Sequence, residues 1–145
     1  MVLAGYTIVN DVTARTLQKS DLDKKNPWFR SKSLDTFCPI GPYLIPADAM
    51  EDPHHLEIRL LINGELRQQG NTELMLFKVP DIIAEISRYM TLQSGDIIAT
   101  GTPEGVGYAR TPQWLLQPGD TVEVEIEKLG TLTTPVGDLS LRSRA

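Results

Sequence analysis

Hydrophobic and polar positions alternate most clearly in two parts of the chain, and both predict β-strands. Residues 56–62 begin with alternating apolar and polar side chains, Asn63-Gly64 is a strong two-residue hairpin signal, and residues 65–69 return. Residues 121–127 alternate with a period of two, which places the glutamates at 123, 125 and 127 on one face. We interpret these glutamates as the solvent face of an edge strand rather than as a metal cluster, because one-sided antiparallel strands commonly alternate in this way.

Two further apolar segments predict one helix and one buried strand. Residues 80–90 have Pro80 and Asp81 at the start, which favours a helix beginning there. Their apolar side chains repeat with helical spacing and predict a face packed in the core, formed by Ile82, Ile83, Ile86, Tyr89 and Met90. The turn Ser94-Gly95-Asp96 then leads into a predicted strand over residues 97–100, and the segment from Leu116 to Asp120 predicts a second turn of the same type.

A loop rich in glycine follows the predicted strand at residues 97–100. Gly101-Thr102-Pro103-Glu104-Gly105-Val106-Gly107 is typical of a tight loop whose backbone amides are open to an anion. It lacks the Gly-Lys-Ser/Thr ending and the following helix of a phosphate-binding P-loop. A plain glycine turn is the alternative.

The opening segment places a carboxylate between a strand and a helix. Residues 5–9 are β-branched and aromatic and predict a strand, whereas Asn10, Asp11 and Thr13 are residues that begin turns and helices. Arg15 and Gln18 are three residues apart and would lie on one face of the helix. Asp11 is therefore either a helix cap or a ligand for a hard cation.

A second candidate lies in the ordered loop predicted over residues 27–42. Lys32 stands among the hydroxyl residues Ser31, Ser33 and Thr36, so it is either a solvated lysine or a cation in a hydroxyl-lined pocket suited to a carboxylate. We expect Trp28 and Phe37 to anchor this loop. We expect Cys38 to be buried and inert, since free cysteine mostly behaves as a small hydrophobic residue.

Composition and charge narrow the class of protein. The chain has 145 residues, which is typical of one domain, and ten prolines and eleven glycines favour a loop-rich, mainly β fold with a few short helices (α+β). The net charge of −5 argues against nucleic acid or an anionic membrane as a partner. No apolar run approaches the roughly 18 residues of a transmembrane helix. The one cysteine cannot form an internal disulfide, so a reducing, cytoplasmic location is expected.

These segments, taken in order, closely resemble the fumarylacetoacetate hydrolase family. The most specific parts are Lys-Ser-Leu-Asp-Thr-Phe-Cys-Pro-Ile-Gly-Pro, beginning at Lys32, and Thr-Gly-Thr-Pro-Glu-Gly-Val-Gly, beginning at Thr100. The resemblance covers nearly the whole chain. It implies a β-sandwich roll, usually a homodimer, with a Mg²⁺ or Mn²⁺ site that acts on 2-oxo or enol dicarboxylic acids by C–C bond hydrolysis, decarboxylation or keto–enol isomerisation through a metal-chelated enolate. The loop from Phe37 to Pro42 looks most like bacterial isomerases and acylpyruvase-like members of aromatic-acid catabolism.

The same resemblance implies roles for individual residues. Asp11 matches the third metal ligand of the family, and Lys32 matches a lysine that takes part in catalysis beside the metal. The positions that match substrate-binding residues are Arg15, Gln18, Thr36 and Thr102. A lysine at that place would supply positive charge where an enolate oxygen develops.

The departure from the family pattern leaves two hypotheses. The family has two further metal ligands in a Glu-x-Glu pattern, and a His and Glu pair, upstream of the segment that matches Gly5. We therefore expect residues 1–145 to be a single catalytic domain that is truncated on its N-terminal side. Either the chain is the catalytic part of a metal-dependent enzyme, or it is an inactive family member that serves as a binding or dimerisation module.

Overall fold

The computed structural model describes residues 3–138 as two β-sheets with two short helices. The elements are β1 (Gly5–Val9), α1 (Arg15–Asp23), β2 (Ile40–Pro46), β3 (Glu57–Ile62), β4 (Glu65–Asn71), α2 (Val79–Ser87), β5 (Thr121–Ile126) and β6 (Gly130–Pro135), with short 3₁₀ turns between some of them. The expectation of a mainly β fold with a few helices is confirmed.

The sheets are antiparallel and differ in size. β1 pairs with β2 in a two-stranded sheet, and the larger sheet has the order β4-β3-β5-β6. Gly5 lies where β1 approaches β2 so closely that a Cβ would collide with the carbonyl of Ile45. Glycine at the start of β1 therefore permits the pairing that carries the chain toward Asp11.

The predicted hairpin is confirmed as β3 and β4. Asn63 and Gly64 both have positive φ, 53° and 78°, as a type I′ turn requires. The Asn63 side chain also binds the turn before β5: its Nδ2 donates to Asp120 Oδ1 at 2.9 Å, and its Oδ1 accepts from the amide of Thr121 at 2.9 Å. That contact joins the hairpin turn to the start of the next strand of the sheet.

The core lies against one face of the larger sheet. β3 and β5 are paired so that Ile58, Leu60 and Ile62 stand opposite Ile126, Val124 and Val122. The buried apolar residues are Ile8, Met50, Leu56, Val122, Val124, Leu129 and Leu132. The alternating pattern of β5 thus correctly predicted which side chains face inward, since Val122 and Val124 are buried.

The interpretation of β5 as an edge strand is wrong. β5 pairs with β3 on one side and with β6 on the other, so its backbone hydrogen-bonding groups are used on both sides. Glu125 lies 3.6 Å from a guanidinium nitrogen of Arg59 on the neighbouring strand. The acidic face is therefore the outer face of a central strand, balanced in part by a cross-strand arginine.

The two helices are less buried than the sequence pattern predicts. α2 ends at Ser87, and Tyr89 and Met90 beyond it are 73% and 61% exposed. The isoleucines at 82, 83 and 86 are half-buried, so the expectation that this stripe packs in a core is wrong within the described residues. Every helix between residues 3 and 138 is too short or too polar to cross a bilayer.

The strand predicted over residues 97–100 does not form. The turn before it does form, since the amide of Asp96 donates to the carbonyl of Gln93 at 3.2 Å. The second predicted turn has the same arrangement, in which the amide of Asp120 donates to the carbonyl of Gln117 at 3.1 Å. Residues 97–100 make no backbone hydrogen bond to any other described residue, and Ile97 is 58% exposed. The segment has the composition of a strand but no neighbouring strand within residues 3–138.

Candidate functional site

Asp11 follows β1 and is not a helix cap. α1 begins at Arg15 after Ala14, and no side chain caps its first turn. The amide of Val12 instead donates to the carbonyl of Asn10 at 2.9 Å, which turns the chain between strand and helix. The Asp11 side chain is 37% exposed and forms an ion pair, so its carboxylate is available to a cation.

The cation that reaches Asp11 is Lys32. Its ammonium group pairs with Oδ2 of Asp11, and its side chain is 34% exposed. The Trp28 ring lies 5.7 Å away from the ammonium nitrogen. The two residues are 21 positions apart in the chain, and the structure brings together the two groups that the sequence singled out separately.

Of the two alternatives for Lys32, a solvated lysine or a cation in a hydroxyl-lined pocket, the second is not supported by the contacts of Ser31 and Ser33. The Ser31 hydroxyl donates to the carbonyl of Trp28 at 2.6 Å, and the Ser33 hydroxyl donates to the carbonyl of Phe29 at 2.9 Å. Both hydroxyls therefore close the local turn. Trp28, which was expected to anchor the loop, is 52% exposed.

Arg15 is held by two neutral groups. Its Nη1 donates to Oε1 of Gln18 at 2.8 Å, and its guanidinium carbon lies 5.3 Å from the ring centroid of Tyr108. None of the ion pairs within residues 3–138 includes Arg15. Its positive charge is therefore oriented without being neutralised, which suits a guanidinium that binds an incoming carboxylate.

An open cavity of about 1110 Å³ lies beside these groups. Asp11, Arg15, Thr102 and Tyr108 line it, together with apolar side chains of the larger sheet and of α2. Gln18 does not line the cavity; it is 6% exposed and contacts Arg15 through the hydrogen bond between Oε1 and Nη1. The substrate-binding assignment of Thr102 thus has a matching location, whereas Gln18 is placed to act through Arg15.

The glycine-rich loop forms one wall of the cavity. Gln68 on β4 donates its side-chain amide to the carbonyls of Pro103 at 2.6 Å and Glu104 at 2.9 Å. Gly101 and Gly105 have φ of 109° and 95°, which glycine adopts readily. Because β4 binds these carbonyls, the loop is held through its carbonyl groups. The amides of residues 101, 102, 104 and 105 donate no backbone hydrogen bond within residues 3–138.

Thr36 and Cys38 lie on the loop that leads into β2. Thr36 is exposed, has a φ of 70° and does not line the cavity. Cys38 is exposed, with a φ of 57°, so the expectation that it is buried is wrong. The loop between Lys32 and β2 turns its small side chains outward instead of packing them.

An ion pair beneath the Lys32 loop was missed from the sequence. Asp21 on α1 is fully buried and accepts hydrogen bonds from Nε of Arg30 at 2.8 and 3.0 Å, and another from Nη2. The Arg30 hydrogen bond holds the pKa of Asp21 below its usual range, and Asp21 raises the pKa of Arg30. Opposite charges nine residues apart on different elements give no local sequence pattern. This contact could therefore be identified only from the structure.

The described residues fit a metal site only in part. Between residues 3 and 138, no three His, Cys, Asp or Glu side chains converge in a way that could hold a metal ion. Asp11 is a hard oxygen ligand at a cavity, as Mg²⁺ or Mn²⁺ requires, but it supplies a single carboxylate. A site of three carboxylates is therefore not formed by these residues, and Asp11 fits one ligand position.

Comparisons with known proteins identify relatives over most of the chain. The oxaloacetate tautomerase YisK of Bacillus subtilis is 47% identical over 133 residues, which are 92% of this chain and 43% of that protein. A human mitochondrial oxaloacetate tautomerase is 46% identical over 134 residues, covering 92% of this chain and 42% of that protein.

Solved structures give the same result. The fumarylacetoacetate hydrolase of the psychrophilic bacterium Exiguobacterium antarcticum superimposes with a TM-score of 0.86 at 51% identity, covering 92% of this chain and 46% of that one. The 2-hydroxyhepta-2,4-diene-1,7-dioate isomerase of Mycobacterium marinum superimposes with a TM-score of 0.80 at 47% identity, covering 92% and 48%.

The family assignment follows from the extent of these matches. The chain spans less than half the length of the curated relatives it matches. The family described as the C-terminal domain of fumarylacetoacetate (FAA) hydrolase matches residues 1–137. The resemblance inferred from the Lys32 and Thr100 segments is confirmed, and the chain belongs to the fumarylacetoacetate hydrolase family.

Proposed function

We propose that this chain forms part of an enzyme that interconverts the enol and keto forms of a small 2-oxo dicarboxylic acid. Oxaloacetate is the compound to test first, because two relatives that are 46–47% identical are oxaloacetate tautomerases. The observation that supports the proposal most is that Asp11 and an un-neutralised Arg15 line one cavity, with Lys32 paired to Asp11.

Arg15 would bind one substrate carboxylate. A guanidinium presents paired N–H donors that match the two oxygens of a carboxylate, and Gln18 and Tyr108 already fix its orientation. Preorganised donors lose less conformational entropy when the ligand binds. Amides of the loop at residues 101–105 offer a second set of donors on the same cavity.

Lys32 would stabilise the oxygen at C2. In the enol-to-keto direction the C2 hydroxyl loses its proton to water, the resulting enolate carries its charge on the oxygen, and C3 then takes a proton from water to form the C–H bond. An ammonium placed at that oxygen stabilises the charge as it develops. Mg²⁺ or Mn²⁺, held in part by Asp11, would supply a Lewis acid for the 2-oxo group.

The decisive experiment measures the decay of enol-oxaloacetate by its ultraviolet absorbance, with the purified chain, Mg²⁺ and a buffer blank. We expect acceleration over the blank and a loss of about 10²–10³-fold in kcat for Lys32→Ala, the range found when one preorganised donor is removed. Arg15→Gln should raise KM about tenfold or more. Lys19→Ala, an exposed lysine on the same helix as Arg15, is the matched control and should behave as the unmodified chain.

Two results would refute this function for the chain by itself. The first is no acceleration over buffer together with no binding of Mg²⁺ or of oxaloacetate in calorimetry. The second is equal turnover by the unmodified chain and by Lys32→Ala. Weaker Mg²⁺ binding by Asp11→Asn than by the control Asp48→Asn, an exposed aspartate on a 3₁₀ turn, would support the ligand role of Asp11.

A second candidate function is a binding or dimerisation module, favoured by the apolar surface. Large apolar side chains are exposed in several places, among them Tyr43 and Leu44 on β2 at 58% and 54% and Phe77 before α2 at 68%. Exposed apolar patches commonly mark interaction sites. We propose a homodimer as the assembled form, and a light-scattering mass of one chain at micromolar concentration would exclude it.

A further inference from the structure

We propose that the ion pair between the buried Asp21 carboxylate and the half-exposed Arg30 is a positioning device that sets Lys32 opposite Asp11. The proposal rests on the proposed function, because it gives Asp21 and Arg30 their importance through Lys32. Neither residue lines the cavity, and the Asp21 carboxylate is enclosed by Arg30, so the pair would act through Lys32.

The pair is a rigid contact at one end of α1. The Asp21 carboxylate has no exposed surface, and Arg30 reaches both of its oxygens from Nε, at 3.0 and 2.8 Å. A planar guanidinium that binds a carboxylate through several donors fixes orientation as well as distance. Arg30 is two residues before Lys32, so this contact fixes the chain close to the ammonium group.

At the N-terminal end of α1, a backbone hydrogen bond holds Ser31, the residue after Arg30 in the same 3₁₀ turn. The amide of Ala14 donates to the carbonyl of Ser31 at 2.9 Å, and Ser31 is fully buried. The 3₁₀ turn Phe29–Ser31 is therefore attached to α1 near both ends of the helix, through Asp21 and through Ala14. Lys32 follows directly and lies beside Asp11, which is three residues before Ala14.

The ion pair between Lys32 and Asp11 is too weak to hold the two side chains in position by itself. Lys32 and Asp11 are each about one-third exposed, at 34% and 37%, and exposed ion pairs are weak. Their mutual placement must therefore come from the backbone beneath them, which the Asp21–Arg30 pair and the Ser31 contact determine. A displacement of about 1 Å at a reacting group can cost roughly 10²-fold in rate, so such support matters for function.

The test is the ¹H–¹⁵N signal of the Lys32 ammonium group, recorded without added divalent cations. This signal is visible when an ion pair slows proton exchange, and its absence in Lys32→Ala assigns it. We expect the signal in the unmodified chain, its loss in Arg30→Lys, and its retention in Arg88→Lys. The last variant is the control, because it alters an exposed pair in which Arg88 lies 3.0 Å from Glu85.

Activity gives the second readout. Arg30→Lys should lower kcat for enol-oxaloacetate about ten- to hundredfold with little change in KM, because Arg15 is untouched. If Arg30→Lys does not fold by circular dichroism, Asp21→Asn replaces it. That variant keeps one acceptor for Arg30 and is measured in the same way.

The outcomes separate this proposal from the one on which it rests. A folded Arg30→Lys that retains the Lys32 signal and turnover would overturn the positioning role, as would absence of the signal in the unmodified chain. A purely structural pair would lower the melting temperature and leave the Lys32 signal in place. Loss of the signal in Arg30→Lys, with Lys32→Ala fully active, would refute the proposed function and leave the positioning role standing.

Discussion

At the scale of single residues, Asp21 gives the chain a predictable sensitivity to acid. Arg30 lowers the pKa of Asp21, so the folded state favours the charged carboxylate. The resulting stability is fully present above the unfolded pKa of about 3.9 and is lost as the pH falls from there through the lower folded pKa. We predict that Asp21→Asn lowers the melting temperature at pH 7 and that this difference narrows below about pH 4.

Thermal melts of both proteins at pH 7, 5 and 3 measure that difference. Asp48→Asn is a suitable control, since Asp48 is exposed and takes part in none of the ion pairs between residues 3 and 138. A melting difference for Asp21→Asn that is constant from pH 7 to pH 3 would contradict the charge-based explanation.

Replacement by alanine should affect stability very differently at two leucines, Leu56 and Leu76. Leu56 is 2% exposed in the core, whereas Leu76 is 93% exposed. Leu56→Ala should lower the free energy of unfolding by about 2–5 kcal/mol, because it removes buried methyl groups and leaves a cavity. Leu76→Ala should change it by less than about 0.5 kcal/mol. Urea titrations of the two variants measure both values, and equal losses would contradict the burial of Leu56 in the core.

The residues of the site were predictable to different degrees. Asp11 could be singled out from its own segment, because a carboxylate between a strand and a helix is either a cap or a ligand. Its pairing with Lys32 spans 21 positions and had no local signal, so only the resemblance to a family placed them together. The exposure of Cys38 could not be read from Phe37 and Pro39 beside it, because neither neighbour predicts the left-handed backbone at Cys38 or what the side chain would contact.

At the scale of elements, local chemistry predicted turns and alternation but not strand neighbours. Asn63-Gly64 specified its hairpin because both residues tolerate positive φ. The pattern of β5 identified the inward face, yet it could not show that β3 lies on one side and β6 on the other. Alternation reports which face is buried, whereas the position of a strand in a sheet depends on residues far away in the chain.

The segment at residues 97–100 should exchange its amide hydrogens quickly. Its amides have no backbone acceptor within residues 3–138, whereas Leu60 and Val124 lie in the centre of the larger sheet. Hydrogen exchange is slow only where a hydrogen bond must open first. We predict exchange of Ile97 and Ile98 within seconds to minutes and protection of Leu60 and Val124 that is orders of magnitude greater, measured by mass spectrometry or NMR on the purified chain.

A protected segment at 97–100 would contradict that prediction. Comparison with residues 101–105 provides an internal control, because those amides also lack a backbone acceptor within the described residues. Slow exchange at 97–100 alone would mean that this segment is paired as a strand in solution, as its composition of isoleucine and threonine favours.

At the scale of the whole molecule, more apolar side chains are exposed among the described residues than the sequence pattern predicts. The stripe of α2 was predicted as core from its spacing, and Tyr89 beyond that helix is 73% exposed. Helical spacing shows that a face is apolar, but it does not show what covers the face. The same holds for Tyr43 and Leu44 on β2, which are 58% and 54% exposed.

The proposed association of copies should become stronger as salt is added. Each chain carries a net charge of −5, so two copies repel each other at low ionic strength, and salt at 0.15 M shortens the range of that repulsion to about 8 Å. Burial of apolar side chains such as Leu44 is not weakened by salt, in contrast to association through ion pairs. We predict that the light-scattering mass at a fixed protein concentration rises between 20 and 300 mM sodium chloride.

Leu44→Asp, which places a charge on the apolar surface of β2, should reduce the rise if that surface is used, whereas Thr131→Asp on an exposed part of β6 should not. A mass that falls with salt would mean that charged groups, and not the apolar surface, hold the copies together.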